Sequence, residues 1–571
     1  MKNNNYQNWS KDDLVEEIER LKKRKKYGIV WEEKKEDVVE QCKKELPVLK
    51  EVKEKEIITD KDKPVNLLIE GDNYHALSVL NYTHAKKVDV IYIDPPFNTG
   101  SKSWKFNNNY VDKEDAFRHS KWISFMYSRL KVARNILKES GIVLVAIDDY
   151  ETSTLRLLID ELYGENNRLG TIVVVHNPGG RSDDEFVATS HEYMLVYAKN
   201  RAKAKINPIP FTEKQLEEYK YEDDISKYKL QSFKRTGSNS RREDRPNLYY
   251  PIFYNPKNTK ISLGQETKGY IKILPLDSQG KDRVWRWGKE YVAKKLATEF
   301  VVVGENKKFS IYVKKRYLGN SDDGSKPKTF WFGPKYNAST YGTILLQNIL
   351  HKDKPFDYPK SLYTVMDALL IAGNENSLIC DFFAGSGTTG HAVLELNKED
   401  SGNRKFILCT NNEDNNGNGY KIAEDICYPR IKKVIEGYKN LKGEKVEGLG
   451  SNLKYFKTDF VDAKPTDKNK IKLTQQATEM LCIKEGTFEL VLGKKDFKIF
   501  KDTNHYTGII FDQLAIPEFK NKIKDIKGKF SIYIFSLSDE TFDEEFEDVK
   551  QKVKLSPIPE AILRVYRRIF R

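Results

Sequence analysis

The spacing of apolar residues changes character several times along the chain. From Val65 the chain reads as strand, turn and helix: VNLLIE (65–70) centres on Leu67, Leu68 and Ile69, a turn follows, and NYHALSVL (73–80) is the helix. VDVIYID (88–94) is a second strand. Over roughly 114–139, Phe117, Ile123, Met126, Leu130, Ala133 and Leu137 share one side of an amphipathic helix that Gly141 is expected to end, and IVLVAID (142–148) is a further buried strand. Between about 170 and 350 the pattern breaks into short strands, aromatics and basic clusters. The α/β texture returns with SLICDFF (377–383), a glycine-rich turn, a helix and KFILCT (405–410). Strands alternating with helices predict a parallel α/β sheet. The domains expected are a charged helical region over 1–63, with Leu14, Ile18 and Leu21 at helical spacing; a first sheet half over 64–169; an insert over 170–350; a second half over 351–440; and an accessory domain over 441–571.

Composition narrows the class. Lys and Arg number 98 against 84 Asp and Glu, a net charge of +14, which favours a polyanionic partner, nucleic acid first among them. The five cysteines (Cys42, Cys380, Cys409, Cys427, Cys482) form no C-x-x-C pair, which reads as a reducing intracellular setting without structural zinc. His176, His191 and His391 are not at metal spacing and read as structural. No apolar stretch reaches the ~18 residues of a membrane span and the first residues lack an apolar signal core, so a soluble cytoplasmic protein without a membrane partner is expected.

Two stretches carry candidate chemistry. Asp94-Pro95-Pro96-Phe97 stops a buried strand with two residues that cannot continue a central sheet. Alone it reads first as a Pro-rich turn with a solvated Asp and a core Phe. DFFAGSGTTGHAV (381–393) follows a strand and opens a helix, and Gly385, Gly387 and Gly390 satisfy G-x-G-x-x-G. A dinucleotide fingerprint normally sits in the first strand–helix unit, whereas this one comes after most of the sheet has been written. The tract FKRTGSNSRREDRPNLYYPI (233–252) sets Lys234, Arg235, Arg241, Arg242 and Arg245 among small polar residues and beside Tyr249 and Tyr250, a composition suited to DNA contact.

Together, D-P-P-F after one strand and D-x-F-x-G-x-G after another resemble the S-adenosylmethionine-dependent amino-methyltransferases of DNA. Their order here, with the insert between them, resembles the β-class permutation. EGDN (70–73) resembles the turn that reads the cofactor's adenine, and DYPKSL (357–362) the segment that closes over its methionine tail. RPNLYYPI, WRWG, FDYPK and DFFAGSGTTGHAVLELN are similar to the modification subunits of type III restriction systems over most of residues 60–440.

The resemblance implies a Rossmann-like, circularly permuted methyltransferase sheet with an inserted target-recognition domain and terminal accessory regions. It implies catalysis by Asp94, Pro95, Pro96 and Phe97, and S-adenosylmethionine held by Asp72, Asn73, Lys360, Asp381, Phe383, Ala384, Gly385, Gly387 and Thr388. Thr410 departs from the family pattern: an acidic residue for the cofactor ribose is expected there, and Glu413 or Asp414 in the loop beyond are the acids nearest in sequence. The expected partners are double-stranded DNA, a second copy in a homodimer, and a restriction subunit with helicase and nuclease functions, since the chain has no G-x-x-x-x-G-K-[ST] loop of its own. Adenine N6 is the expected target. An N4-cytosine enzyme and a catalytically idle DNA-binding subunit are the alternatives.

Overall fold

The computed structural model describes residues 10–12, 14–15 and 29–570, except 61, 108, 183, 265–266, 306–307, 320–322, 415–418, 539 and 541. Ile18 and Leu21 of the expected N-terminal helix lie outside these residues.

The apolar runs assemble into one 11-stranded sheet. Its labelled strands are β1 (Glu45–Glu51), β2 (Val65–Glu70), β3 (Val88–Ile93), β4 (Leu137–Ile147), β5 (Arg168–Val175), β6 (His191–Ala198), β7 (Phe330–Trp331), β8 (Leu378–Asp381), β9 (Lys405–Thr410) and β10 (Asn452–Asp462), in the order β1-β10-β2-β9-β8-β3-β4-β6-β5-β7. The strands from β10 to β4 run parallel. β1 and β6 run antiparallel to their neighbours. Crossover helices cover the faces: α1 (Asn73–Thr83), α2 (Arg118–Ile136), α3 (Thr152–Tyr163), α4 (Leu362–Ala372), α5 (Thr388–Asp400) and α6 (Tyr428–Glu436). Helices on both faces leave the central strands dry, which is why Val90, Ile91, Val143 and Leu408 show no alternation with polar residues.

One neighbour relation decides the site. β8, which precedes the glycine turn, pairs directly with β3, which precedes Asp94 (Ile379 with Val90, Cys380 with Ile91). In a parallel pair both strands end at the same edge, and that edge is where open α/β sheets bind ligands.

Several boundaries differ from the sequence reading. Gly141 does not end α2; the helix passes into β4 at Leu137, and Gly141 lies in the irregular start of that strand, where the register shifts between Val88 and Val90. A Cβ at Gly141 would come within 2.6 Å of the Leu137 side chain. The separate compact unit spans Asn207–Pro327, narrower than the insert expected over 170–350, because β5, β6 and β7 are strands of the large sheet. That unit has a four-stranded and a three-stranded sheet and its own core, in which Phe233 and Trp285 stack at 5.2 Å. The terminal regions are not outside the α/β core either. β1 and β10 belong to the sheet, and the five-stranded sheet that follows contributes Ile509, Tyr533 and Ile558 to the main core. The last helix, α7 (Glu560–Ile569), buries Ile562 and Tyr566, and Tyr566 Oη donates to the Pro47 carbonyl at 2.5 Å. The apolar face of this helix is therefore covered within the chain. Among the described residues no helix is long and apolar enough to cross a membrane.

Candidate active site

Asp94 follows the last residue of β3, and the two prolines turn the chain across the sheet edge. Trp122 of α2 donates its indole N–H to the Pro96 carbonyl at 2.6 Å, which orients the peptide. Asn98, in the left-handed region at φ 56°, anchors the far end by donating to Glu151 Oε1 at 2.5 Å and accepting from Trp104 Nε1 at 3.1 Å.

The glycine turn stands beside this loop. Asp381 closes β8 with both oxygens engaged, accepting from Phe383 N at 2.9 Å and from Thr389 Oγ1 at 2.5 Å. Burial pushes its carboxyl up to about 7 against those two bonds. Gly385 (φ +49°) and Gly387 (φ +79°) are left-handed, and a Cβ on Gly385 would lie 3.0 Å from Phe356 Cζ. Behind the turn, fully buried Arg430 of α6 donates to the Ser386 carbonyl at 3.3 Å and to Thr388 Oγ1 at 2.8 Å. The Thr388 hydroxyl, expected to face the cofactor, is thus turned into the core as part of the support for the turn. Phe383 packs on Phe125 and Phe382 at 5.8 and 5.3 Å.

Asp72 caps α1 by accepting from Tyr74 N at 2.7 Å. Asn73 donates to the Phe382 carbonyl at 2.9 Å, tying this turn to the glycine turn. Both are held by Arg129, a fully buried residue of α2 that pairs with Asp72 Oδ2 at 3.2 Å and Glu36 Oε1 at 2.7 Å and donates to Asn73 Oδ1. Sequence reasoning missed Arg129 and Glu36. One signal was present: Arg129 lies three residues after Met126 and four before Ala133, a charge on the apolar stripe. Of the acids considered for the ribose, Glu413 pairs with Lys105 at 3.1 Å and Asp414 accepts from Gly419 N at 2.9 Å.

Lys360 does not stand with the glycine turn. Its Nζ lies 3.1 Å from Asp94 Oδ1, 2.5 Å from Glu192 Oε2 and 4.5 Å from the Phe97 ring centroid. Glu192, on β6, was not foreseen. The contact to Asp94 is not aligned as a hydrogen bond, so Asp94 Oδ1 is a buried oxygen without a hydrogen-bond partner. Burial raises the Asp94 carboxyl to about 6, opposed by the charge and the close approach of Lys360 and assisted by the charge of Glu192. Burial works against the Lys360 ammonium, but the two carboxylates outweigh it and hold its pKa above the usual lysine range.

The D-P-P-F loop and the glycine turn both lie within residues 88–428, which match the DNA methylase family. The chain belongs to the DNA methylase family. It is 35% identical over 388 residues to the type II methyltransferase M.KpnI of Klebsiella pneumoniae, a match covering 66% of this chain and 89% of that one. It is 34% identical over 409 residues to the EcoPI Mod subunit, a type III restriction-modification enzyme of Escherichia phage P1, covering 65% of this chain and 62% of the relative. The chain therefore aligns with less than two thirds of that subunit. Among solved structures, a DNA modification methylase of Thermus thermophilus complexed with S-adenosyl-L-methionine matches 60% of this chain and 87% of its own at 10% identity and a TM-score of 0.28.

The residues of this DNA methylase fit S-adenosylmethionine. The left-handed turn at Gly385 is a cradle that a Cβ would fill, and the Asp72 carboxylate, held by Arg129, remains 30% exposed at the same edge. In the separate unit, the predicted DNA contacts divide. Lys234 Nζ donates to the Leu276 carbonyl at 2.5 Å, and Arg242 pairs with Asp282 at 3.1 Å and lies 4.2 Å from the Tyr249 ring centroid, so both are engaged internally. Arg241 and Arg245 are exposed, and Arg235 is half-buried. Tyr250, expected beside the DNA-contacting tract, is a core residue whose carbonyl accepts from Trp285 Nε1 at 2.7 Å.

Proposed function

We propose that the chain methylates the N6 amine of adenine in double-stranded DNA, with S-adenosylmethionine as donor, as the modification subunit of a type III restriction-modification system. The observation that carries this reading is the orphaned oxygen of Asp94, buried at the sheet edge where the glycine turn on the adjacent strand also ends.

The exocyclic amine of adenine is a poor nucleophile because its lone pair is delocalised into the ring, and it is out of reach in a stacked duplex. Flipping the base removes the second obstacle for a few kcal/mol. Asp94 Oδ1 and the Pro95 carbonyl then accept the two amine hydrogens, drawing the nitrogen toward sp³ and directing its lone pair. Trp122 fixes the loop's orientation through the Pro96 carbonyl. Phe97 offers a stacking face. When bound, S-adenosylmethionine supplies an electrophilic methyl group and departs as a neutral thioether. Its holders are Asp72, Asn73, Asp381, Phe383, Ala384, Gly385 and Gly387. No strong base is required before methyl transfer, because the positive charge that develops on nitrogen is stabilised by the Asp94 carboxylate beside it, and the surplus amine proton then leaves through that carboxylate to water. The remaining acceleration comes from fixing amine and methyl in line.

Adenine is favoured over cytosine because Asp, rather than Ser, opens the D-P-P-F motif. Mass spectrometry of nucleosides from DNA treated with the purified protein tests this: N6-methyladenine is expected, and N4-methylcytosine overturns the choice of base. The three Mod subunits of 27–34% identity support the type III assignment. A self-sufficient type II enzyme is the second reading, favoured by the 89% coverage of M.KpnI. Co-purification with a helicase-nuclease subunit supports the first, and site-specific protection without such a partner supports the second. A homodimer, one copy reading DNA while the other methylates, belongs to the type III reading; light scattering of the full chain showing a monomer at micromolar concentration removes it.

A further inference from the structure

Three charged side chains from distant parts of the chain converge beside the D-P-P-F loop. β6 runs antiparallel to β4, so its amino end lies beside the carboxyl end of β4, with Tyr193 opposite Ile147. That places Glu192, only 5% exposed, at the active edge. Lys360, 11% exposed, arrives from the loop before α4 and stands between Glu192 and Asp94. One ammonium thus serves two carboxylates, and the cluster carries a net charge of −1 when all three are ionised.

The two contacts of Lys360 are unequal. Toward Glu192 it is a hydrogen bond at 2.5 Å. Toward Asp94 it is a charge contact at 3.1 Å that leaves Oδ1 without an aligned donor. This inequality matters for an oxygen that must accept an amine hydrogen: a lysine aligned with Asp94 would occupy the lone pair, while no lysine at all would leave a buried carboxylate prone to protonation.

We propose that Glu192 is a positioning residue for methyl transfer: it draws the Lys360 ammonium onto itself, so that Lys360 keeps Asp94 ionised through its charge without occupying the oxygen that receives the target amine. This rests on the reading of Asp94 as the amine acceptor. Glu192 touches neither base nor cofactor in this account, and acts through Lys360.

The acid limb of the pH–rate profile distinguishes this role from a structural one. Tyr92 on β3, Asp381 on β8, Asp148 after β4 and His176 after β5 also face the cluster electrostatically, with Arg181 beyond them against Asp148 and His176, and all are retained in the variants, so a changed limb is attributable to the substituted pair. Single-turnover methyl transfer to a duplex carrying the recognition site is measured from pH 5 to 9 for wild type, Glu192→Gln, Glu192→Asp, Lys360→Met and the double variant Glu192→Gln/Lys360→Met, with S-adenosylmethionine affinity measured by calorimetry. Glu192→Gln lets Lys360 turn fully to Asp94, so the plateau rate falls at least tenfold and the acid limb moves to lower pH, with cofactor affinity within threefold of wild type. Lys360→Met removes the neighbouring charge and moves the limb to higher pH. The double variant, a neutral pair, has a limb between the two, and Glu192→Asp, which keeps the charge, restores part of the rate. Should Glu192→Gln fail to fold, the double variant still decides the matter, because its limb must lie below that of Lys360→Met. A Glu192→Gln enzyme that loses rate with an unmoved limb, or keeps both, overturns the proposal. Wild-type turnover by Asp94→Ala overturns the acceptor reading instead.

Discussion

Replacing Arg129 by leucine isolates the support behind the cofactor turn. The wild-type guanidinium is fully buried and faces Glu36 at 2.7 Å and Asp72 at 3.2 Å, and Glu36 is itself only 7% exposed. Burial already raises the Glu36 pKa with Arg129 present, the arginine pulling the other way. Without the arginine the carboxyl either stays charged and unpaired, a change that costs about 3–5 kcal/mol when one partner of a buried pair is removed, or takes up a proton at roughly 1.4 kcal/mol per unit of further pKa rise. Asn73 also loses the donor to its Oδ1. We expect Arg129→Leu to lower stability by about 3–5 kcal/mol at pH 7.5 in urea unfolding followed by tryptophan fluorescence. The sign of the pH dependence follows from the raised native pKa: the folded state binds this proton more tightly than the unfolded one, so the penalty is largest at high pH and shrinks as pH falls toward 5. Glu36→Leu/Arg129→Leu, which removes the stranded carboxylate as well, should recover at least half the loss. A single variant within about 1 kcal/mol of wild type, below the range for breaking a buried pair, refutes the reasoning, as does a double variant no more stable than the single.

Three further outcomes are expected. Asp94→Ala should abolish methyl transfer while leaving S-adenosylmethionine affinity within a few-fold by calorimetry, and the wild-type rate should fall about tenfold per pH unit below about 6, where Asp94 takes up the proton that blocks its acceptor oxygen; a flat profile down to pH 5 counts against that assignment. Gly385→Val forces a β-branched residue to φ +49° and its Cβ to 3.0 Å from Phe356, so cofactor binding should be lost with the circular dichroism spectrum retained. Exchanging residues 207–327 for the corresponding unit of a related methylase should change the methylated site, read by long-read sequencing, while N6-methyladenine remains the product.

Much of the sheet was legible in the sequence because its signals are local. A strand dry on both faces carries adjacent apolar residues, as Leu67–Ile69 in β2, Val90–Ile93 in β3, Leu378–Cys380 in β8 and Phe406–Cys409 in β9 do; a tight strand-to-helix turn needs left-handed residues, and Gly385 and Gly387 mark it. The order of the two motifs was equally plain. The pairing of β3 with β8 was not, because apolar period records that a strand is buried and not which strand lies beside it. The boundary at residue 207 was hidden for a related reason: β5 and β6 lie toward one edge of the sheet, where half-buried positions look like those of a small separate sheet. Tyr250 suited a DNA-binding composition and a hydrophobic core equally well, and only packing separated the two. The charged residues show the limit most sharply. Arg129, Glu36, Glu192 and Lys360 are ordinary letters in a chain rich in charge, and their pairing depends on which side chains long-range folding deprives of water together. A carboxylate and an ammonium far apart in sequence become partners only when the sheet brings both to one dry edge, where the cost of burying either alone makes the other indispensable.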